Sequence, residues 1–362
     1  MGDVRMAMDD ESGTTDYAPL SSTIIRSHAM TIPTETNAIR FYKTGGPDVL
    51  TWETVKLGAP GAGEVTLRNK ACGLNFIDTY HRSGLYPVAL PSGIGLEGAA
   101  VVEALGAGVA HLKVGDRVAY CAAPLGAYAE WRNYPADKLV KIPDSIDDKT
   151  AAAMMLQGMT VEYLIRRTYP VKAGDWVLFH AAAGGVGSIA VQWLKHLGAI
   201  VIGTAGGAEK CAIVKSLGAD HVIDYRAEAG SDHWVKRVKD ITGGKGVHVV
   251  YDGVGKDTCI PSMDCLRPRG YLVTFGNASG PVPAIEPLLL SQKGSIFLTR
   301  PTLMAYTGTR EELELSANAL IDVVAKGVVK IRVAHTYPLK DAARAQADLE
   351  ARKTTGSVVL LP

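Results

Sequence analysis

The sequence predicts an α/β chain in two parts, a mostly β module followed by a doubly wound parallel sheet. Two changes of pattern carry this reading. From Ala38 to about Thr150 the apolar runs are short and are separated by glycine and proline turns. From about Thr150 strand-like and helix-like segments alternate. A third observation is local: at Trp176–Gly187 an apolar strand runs straight into a glycine turn that opens a helix-periodic segment.

The β module is read from Asn37–Phe41, Glu64–Arg68, Gly98–Val102 and Asp116–Tyr120, with turn signals at Gly45-Gly46-Pro47 and Pro60-Gly61. The alternating part follows as Trp176–Phe179, Val186–Leu197, Ile200–Thr204, Glu209–Leu217, Val222–Ile223, Trp234–Thr242, Val247–Tyr251, Thr258–Leu266, Tyr271–Phe275 and Ser295–Leu298. Such alternation implies right-handed βαβ units. Two amphipathic helices, near Arg310–Lys326 and Leu339–Arg352, and a last strand at Gly356–Leu361 are expected to return to the β module, which makes that domain discontinuous. The expected boundaries are 37–159 with 300–362 for the first domain and 160–299 for the second.

The chain has 362 residues, 47% hydrophobic, with a formal charge of +1. That is ample for two cores. The balanced charge gives no electrostatic footprint for nucleic acid. No apolar run reaches the roughly 18–20 residues that span a bilayer. Five scattered cysteines without a C-x-x-C pair suit reduced thiols and a cytoplasmic location. Residues 1–36 contain Asp9-Asp10-Glu11 and little apolar periodicity. They read as a disordered extension rather than an Arg-rich transit peptide, with Met30 as an alternative start.

The turn Ala181-Ala182-Ala183-Gly184-Gly185-Val186-Gly187 is a variant A-x-G-x-x-G, with Ala182 in place of the first glycine. Its strand–turn–helix context is what a dinucleotide pyrophosphate requires: converging N–H groups at a helix N-terminus and no Cβ at the point of approach. Ala183, Gly185 and Val186 complete the expected cradle. The second strand ends Thr204-Ala205-Gly206-Gly207, without the carboxylate that grips a ribose 2′-OH, and Lys210, Tyr225 and Arg226 follow. An uncharged tip beside cations suits a 2′-phosphate, so the expected cofactor is NADPH.

Four stretches resemble one family: Asn75–Asp78 with Tyr80 and Ser83–Tyr86; Gly95–Gly98; His180–Gly187; and Tyr251–Gly255 with Phe275–Asn277. From about Ala38 to Pro362 the chain resembles the medium-chain dehydrogenase/reductase superfamily, and within it the quinone oxidoreductases of the zeta-crystallin type. The resemblance implies a GroES-like catalytic domain and a Rossmann domain, with a cleft between them. It implies that Asn75, Asp78, Tyr80, Tyr86, Gln157 and Thr160 face the acceptor. Gly253, Val254, Phe275, Gly276, Asn277 and Arg352 would complete the cofactor site. Asp78 reads equally as a carboxylate holding a turn, and Tyr80 is the best candidate proton donor. His180 reads as a packed, hydrogen-bonded histidine.

The zinc-dependent branch of the superfamily has ligands where this chain has Asn75, Leu96 and Gln157, a set that cannot hold a catalytic zinc. Without that Lewis acid, an acceptor that takes hydride unaided is needed, and a quinone fits. The resemblance also implies a homodimer paired through the last strand of the second sheet. The alternative activity is NADPH-dependent reduction of α,β-unsaturated carbonyls. A further alternative is a non-enzymatic NADPH-binding or RNA-binding role, as among crystallin-like relatives.

Overall fold

The computed structural model describes Gly2, residues 32–227 and residues 232–362. The expected extension lies outside the described residues as far as residue 31, Met30 included. Its expected end at residue 36 is corrected by two residues, because Glu35 already pairs with Lys56.

The first module contains β1 (Glu35–Phe41), β2 (Thr51–Lys56), β3 (Glu64–Leu74), α1 (Phe76–Ser83), β4 (Ser92–Gly93), β5 (Glu97–Leu105), β6 (Arg117–Tyr120), β7 (Trp131–Pro135), β8 (Val140–Lys141) and α2 (Asp148–Ala152). The helix α3 (Met155–Tyr163) leads into β9 (Trp176–Phe179), α4 (Gly185–His196), β10 (Ile200–Ala205), α5 (Ala208–Ser216), β11 (His221–Asp224), α6 (Asp232–Ile241), β12 (Val247–Asp252), α7 (Cys259–Ser262), β13 (Leu266–Thr274), α8 (Pro287–Gln292) and β14 (Phe297–Thr299). The chain closes with α9 (Leu303–Tyr306), α10 (Arg310–Ala325), β15 (Val333–Pro338), α11 (Ala342–Glu350) and β16 (Ser357–Leu361).

Strands β9 to β14 form a six-stranded sheet in the order β11-β10-β9-β12-β13-β14, every pairing parallel. This is the 3-2-1-4-5-6 order of a dinucleotide-binding sheet. Val177, Leu178, Phe179, Val249, Val250 and Tyr251 are buried, as central parallel strands covered on both faces require. One face packs on α3, α4 and α10 through Ile189, Trp193 and Leu320; the other packs on α6 and α7 through Trp234, Val238 and Cys259.

The second large sheet runs β15-β16-β3-β5-β6-β8, with β7 also on β3. Here β16 pairs antiparallel with β3, Val358 opposite Leu74. The C-terminal return read from the sequence is therefore visible as strand pairing.

Some boundaries differ from the sequence reading. A break between 159 and 160 falls inside α3, a continuous helix. The segment 300–362 divides its packing: β15 and β16 join the first module, whereas Ala317, Leu320 and Val323 of α10 join the core beside β9 and α4. The helix expected at Thr258–Leu266 shortens to α7, followed by a 3-10 turn, and β13 begins at Leu266. The last strand is Phe297–Thr299, because Ser295 turns through φ +55. The five cysteines are unpaired.

Candidate active site

A cleft of about 700 Å³ lies between the two modules, lined by residues that follow the C-terminal ends of β9, β10, β12 and β13. Ligands of open α/β sheets bind at that end, where the strand order reverses.

The glycine turn forms one wall. The first residues of α4 carry no side-chain cap, so their N–H groups remain available to an anion. A Cβ at Gly187 would lie 2.6 Å from Ala182 Cα and press on the Ala181 carbonyl, so only glycine packs there. The left-handed residue of the turn is Ala181, at φ +53. Ala182 sits beneath the loop, fully buried, with its N–H on the Thr204 carbonyl at 2.9 Å. Gly184, Gly185, Val186, Ala183, Thr204 and Gly206 line the cleft, as do Gly253 and Val254 beyond β12.

Lys210, Tyr225 and Arg352 converge beside Gly206. The Lys210 ammonium donates to the carbonyls of Arg352 (2.8 Å) and Thr354 (3.3 Å). Partial burial, then the nearby charges of Arg226 and Arg352, lower the Lys210 pKa. Cations gathered this way, with uncapped N–H groups alongside, fit a polyanionic dinucleotide carrying an extra phosphate. Arg352 lies beyond the end of α11, at φ +59, rather than within the last helical turn.

At the other end, Tyr80, Tyr86, Thr160, Phe275 and Gly276 form the walls. The rings of Tyr80 and Tyr86 meet edge to face, 5.1 Å between centroids. The Tyr80 hydroxyl accepts the Asn277 N–H at 2.8 Å, and burial pushes its pKa up to about 12. Asn277 therefore contributes backbone from behind the wall and does not itself line the cleft.

Asp78 is corrected as a cleft residue. It is fully buried outside the cleft, where Oδ2 accepts the Asn75 N–H (2.9 Å) and the Tyr128 hydroxyl (2.7 Å), forming the capping box of α1. Desolvation raises its pKa to about 7. His180 is buried between Thr204 Oγ1 (3.0 Å) and Ser262 Oγ (2.9 Å).

Arg300 is a cleft residue that sequence reasoning missed. It reaches Thr274 Oγ1 (3.0 Å), the Gly276 carbonyl (2.9 Å) and Tyr86 Oη (3.4 Å). Its position just beyond the sixth parallel strand was the available signal. Tyr163, Leu303 and Met304 were also missed and complete the acceptor wall.

Asn75 and Gln157 line the cleft and hydrogen-bond each other, Nε2 of Gln157 to Oδ1 of Asn75 at 3.1 Å. Leu96 is buried and apolar. Two amides and a leucine do not fit a zinc ion. Among the described residues no three His, Cys, Asp or Glu side chains are grouped to hold a metal. Among the same residues no helix is long and apolar enough to cross a membrane.

A two-module fold with a dinucleotide cradle in its cleft defines a nicotinamide-type oxidoreductase scaffold, and comparison with known proteins agrees. Residues 61–144 match the alcohol dehydrogenase GroES-like domain, and residues 185–322 match the zinc-binding dehydrogenase family. A quinone oxidoreductase of Pseudomonas aeruginosa is 51% identical over 325 residues, 90% of this chain and 99% of the relative. A 2-haloacrylate reductase of a Burkholderia species is 49% identical over 330 residues, 89% and 97% of the two chains. The crystal structure of Escherichia coli quinone oxidoreductase complexed with NADPH superposes with a TM-score of 0.87 at 51% identity, covering 90% of this chain and all of that one. The chain belongs to the quinone oxidoreductases of the medium-chain dehydrogenase/reductase superfamily.

Proposed function

We propose that this protein is a zinc-independent, NADPH-dependent quinone reductase, acting in the cytoplasm as a homodimer. The observation that carries the reading is a cation-flanked dinucleotide cradle continuous with an aromatic acceptor wall of Tyr80, Tyr86 and Phe275. The Escherichia coli relative complexed with NADPH supports the cofactor. NADPH supplies a hydride, and a proton from water or a side chain completes the hydroquinone.

The residues divide the work. Gly184–Gly187 and Lys210, with Tyr225 and Arg352, would hold the phosphates. Gly253, Val254, Phe275 and Gly276 would border the cofactor toward the reacting end. Tyr80 and Tyr86 pack on a planar acceptor, and Arg300 brings positive charge to the end where an acceptor oxygen gains electron density. Reduction of α,β-unsaturated carbonyls is the second reading. It is favoured by the 2-haloacrylate reductase among the relatives and by the Arg300 cation, which suits a carboxylate on such an acceptor.

The dimer reading rests on β14. This strand is the edge of the six-stranded sheet, and Phe297 on it is 50% exposed. An apolar edge strand left open invites pairing.

The test is NADPH consumption with 1,4-benzoquinone, 9,10-phenanthrenequinone and an alkenal in parallel. Rapid turnover of a quinone is expected. Alkenal turnover far above every quinone would replace the first reading by the second, and NADPH binding without turnover of any acceptor would remove both.

A further inference from the structure

Four side chains from separate parts of the sequence form one buried hydrogen-bonded chain beside the acceptor end of the cleft. Ser357 Oγ donates to Gln157 Oε1 (2.7 Å), Gln157 Nε2 to Asn75 Oδ1 (3.1 Å), and Asn75 Nδ2 to Glu97 Oε2 (2.6 Å). The Leu156 N–H closes the chain on Glu97 Oε1 (2.9 Å). All four side chains belong to buried residues, and Glu97 and Ser357 are at most 1% exposed.

The chain has a direction. Both Glu97 oxygens accept, Oε1 from the Leu156 N–H and Oε2 from Asn75 Nδ2, against a burial that raises the Glu97 pKa to about 8. That turns the Asn75 oxygen toward Gln157, whose nitrogen must face it. The Gln157 oxygen then faces the Ser357 hydroxyl at 2.7 Å, and the Ala153 carbonyl is that hydroxyl's second acceptor at 3.2 Å. The packing leaves room for this arrangement. A Cβ at Gly73 would run into Glu97 Oε2, and one at Gly185 would run into Gln157 Oε1. The second of these glycines is in the dinucleotide turn itself, so the cradle and the chain share a wall.

Asn75 and Gln157 line the cleft; Ser357 and Glu97 do not. Each amide nitrogen has two N–H groups and spends one of them in the chain. We propose that Ser357 and Glu97 are positioning residues, which lock the two amides so that their remaining N–H groups meet the acceptor oxygen as it gains charge. Donors fixed in advance stabilise developing charge without reorganising. The inference rests on the quinone-reductase reading.

Two variants test it from opposite ends. Ser357→Ala leaves Gln157 Oε1 without its donor and frees the amide to rotate. Glu97→Gln presents an N–H to Asn75 Nδ2 and drives both amides to turn over. Each variant should lower kcat for a quinone by about tenfold or more while the NADPH Kd stays within about twofold. Ser357→Thr, which keeps the hydroxyl, should restore turnover. Wild-type kcat in both damaging variants would overturn the proposal, as would an NADPH affinity that falls as far as kcat does. A double-mutant cycle in thermal unfolding reads the chain without any turnover. Ser357→Ala and Glu97→Gln share no hydrogen bond, yet their effects should be non-additive, whereas strict additivity would refute the linkage. A wild-type protein inactive with every acceptor would defeat the functional reading alone, leaving the cycle to judge the chain.

Discussion

The Tyr80 hydroxyl accepts the Asn277 N–H at 2.8 Å, joining α1 of the first module to the loop after β13 across 197 residues of sequence. Through this bond a ring placed to pack on an acceptor also fixes the backbone opposite it. Tyr80→Phe keeps the ring and removes the latch, so quinone KM should hold within about twofold while kcat falls. Tyr80→Ala and Tyr86→Ala remove ring packing worth about 0.5–1.5 kcal/mol and should raise quinone KM roughly two- to tenfold. A KM for Tyr80→Phe as high as that for Tyr80→Ala would contradict the separation of the two roles.

Lys210 contacts the Arg352 and Thr354 carbonyls and keeps a third donor for phosphate. NADPH should bind more tightly than NADH, because a charge-assisted hydrogen bond contributes about 1.5–3 kcal/mol. Lys210→Ala should weaken NADPH far more than NADH in a fluorescence titration. Equal losses for both cofactors would remove Lys210 from the 2′-phosphate site.

Purified protein should contain no stoichiometric zinc by elemental analysis and should keep its turnover in a strong chelator. The amides of Asn75 and Gln157 are committed to each other, and Leu96 offers no donor. One zinc per chain with activity lost on its removal would contradict this.

Burial raises the Asp78 carboxyl from 3.8 to about 7, against the pull of the Asn75 N–H and Tyr128 hydroxyl. Between these values the native chain keeps a proton that the unfolded chain releases. Asp78 therefore lends stability at low pH, and that contribution is lost as pH rises toward about 7. The melting-temperature difference between wild type and Asp78→Asn should shift against wild type from pH 4 to pH 7 and level off above, by roughly the linkage slope of one proton. A difference that does not vary with pH would show that Asp78 does not titrate this way.

Phe297 stacks on Tyr271 at 4.6 Å and leaves half of its surface open at the sheet edge. Light scattering should give twice the chain mass for wild type, and Phe297→Lys should shift the protein toward the monomer. A wild-type monomer at micromolar concentration would count against edge pairing.

The parallel sheet was legible because its central strands are buried on both faces and its turn carries glycine at positions where a Cβ would collide, as at Gly187. Asn75, Tyr80 and Tyr86 stood in motif stretches, whereas Gln157 was reached only through the family resemblance; all four line the cleft. Asp78 belonged to such a motif too, but no pattern distinguishes a carboxylate aimed at a cleft from one capping its own helix. Arg300 follows a strand that the sequence did mark, but nothing local says that its side chain turns back along the sheet end to Thr274 and Gly276. Glu97 and Ser357 were out of reach for another reason. Ser357 meets Gln157 across 200 residues, and only the pairing of β16 with β3 brings them together.

That pairing couples two parts of the molecule that are far apart in sequence. Strands β9 to β14 follow one another in the chain, whereas β16 fills an interior place between β15 and β3 of the other large sheet. Removing Ser357–Leu361 would leave Cys72–Leu74 of β3 as an open edge able to pair with other chains. The residue just before that strand, Gly356, also donates its N–H to the Ala183 carbonyl in the glycine turn. Loss of one five-residue strand would thus unseal a sheet and loosen the dinucleotide turn together.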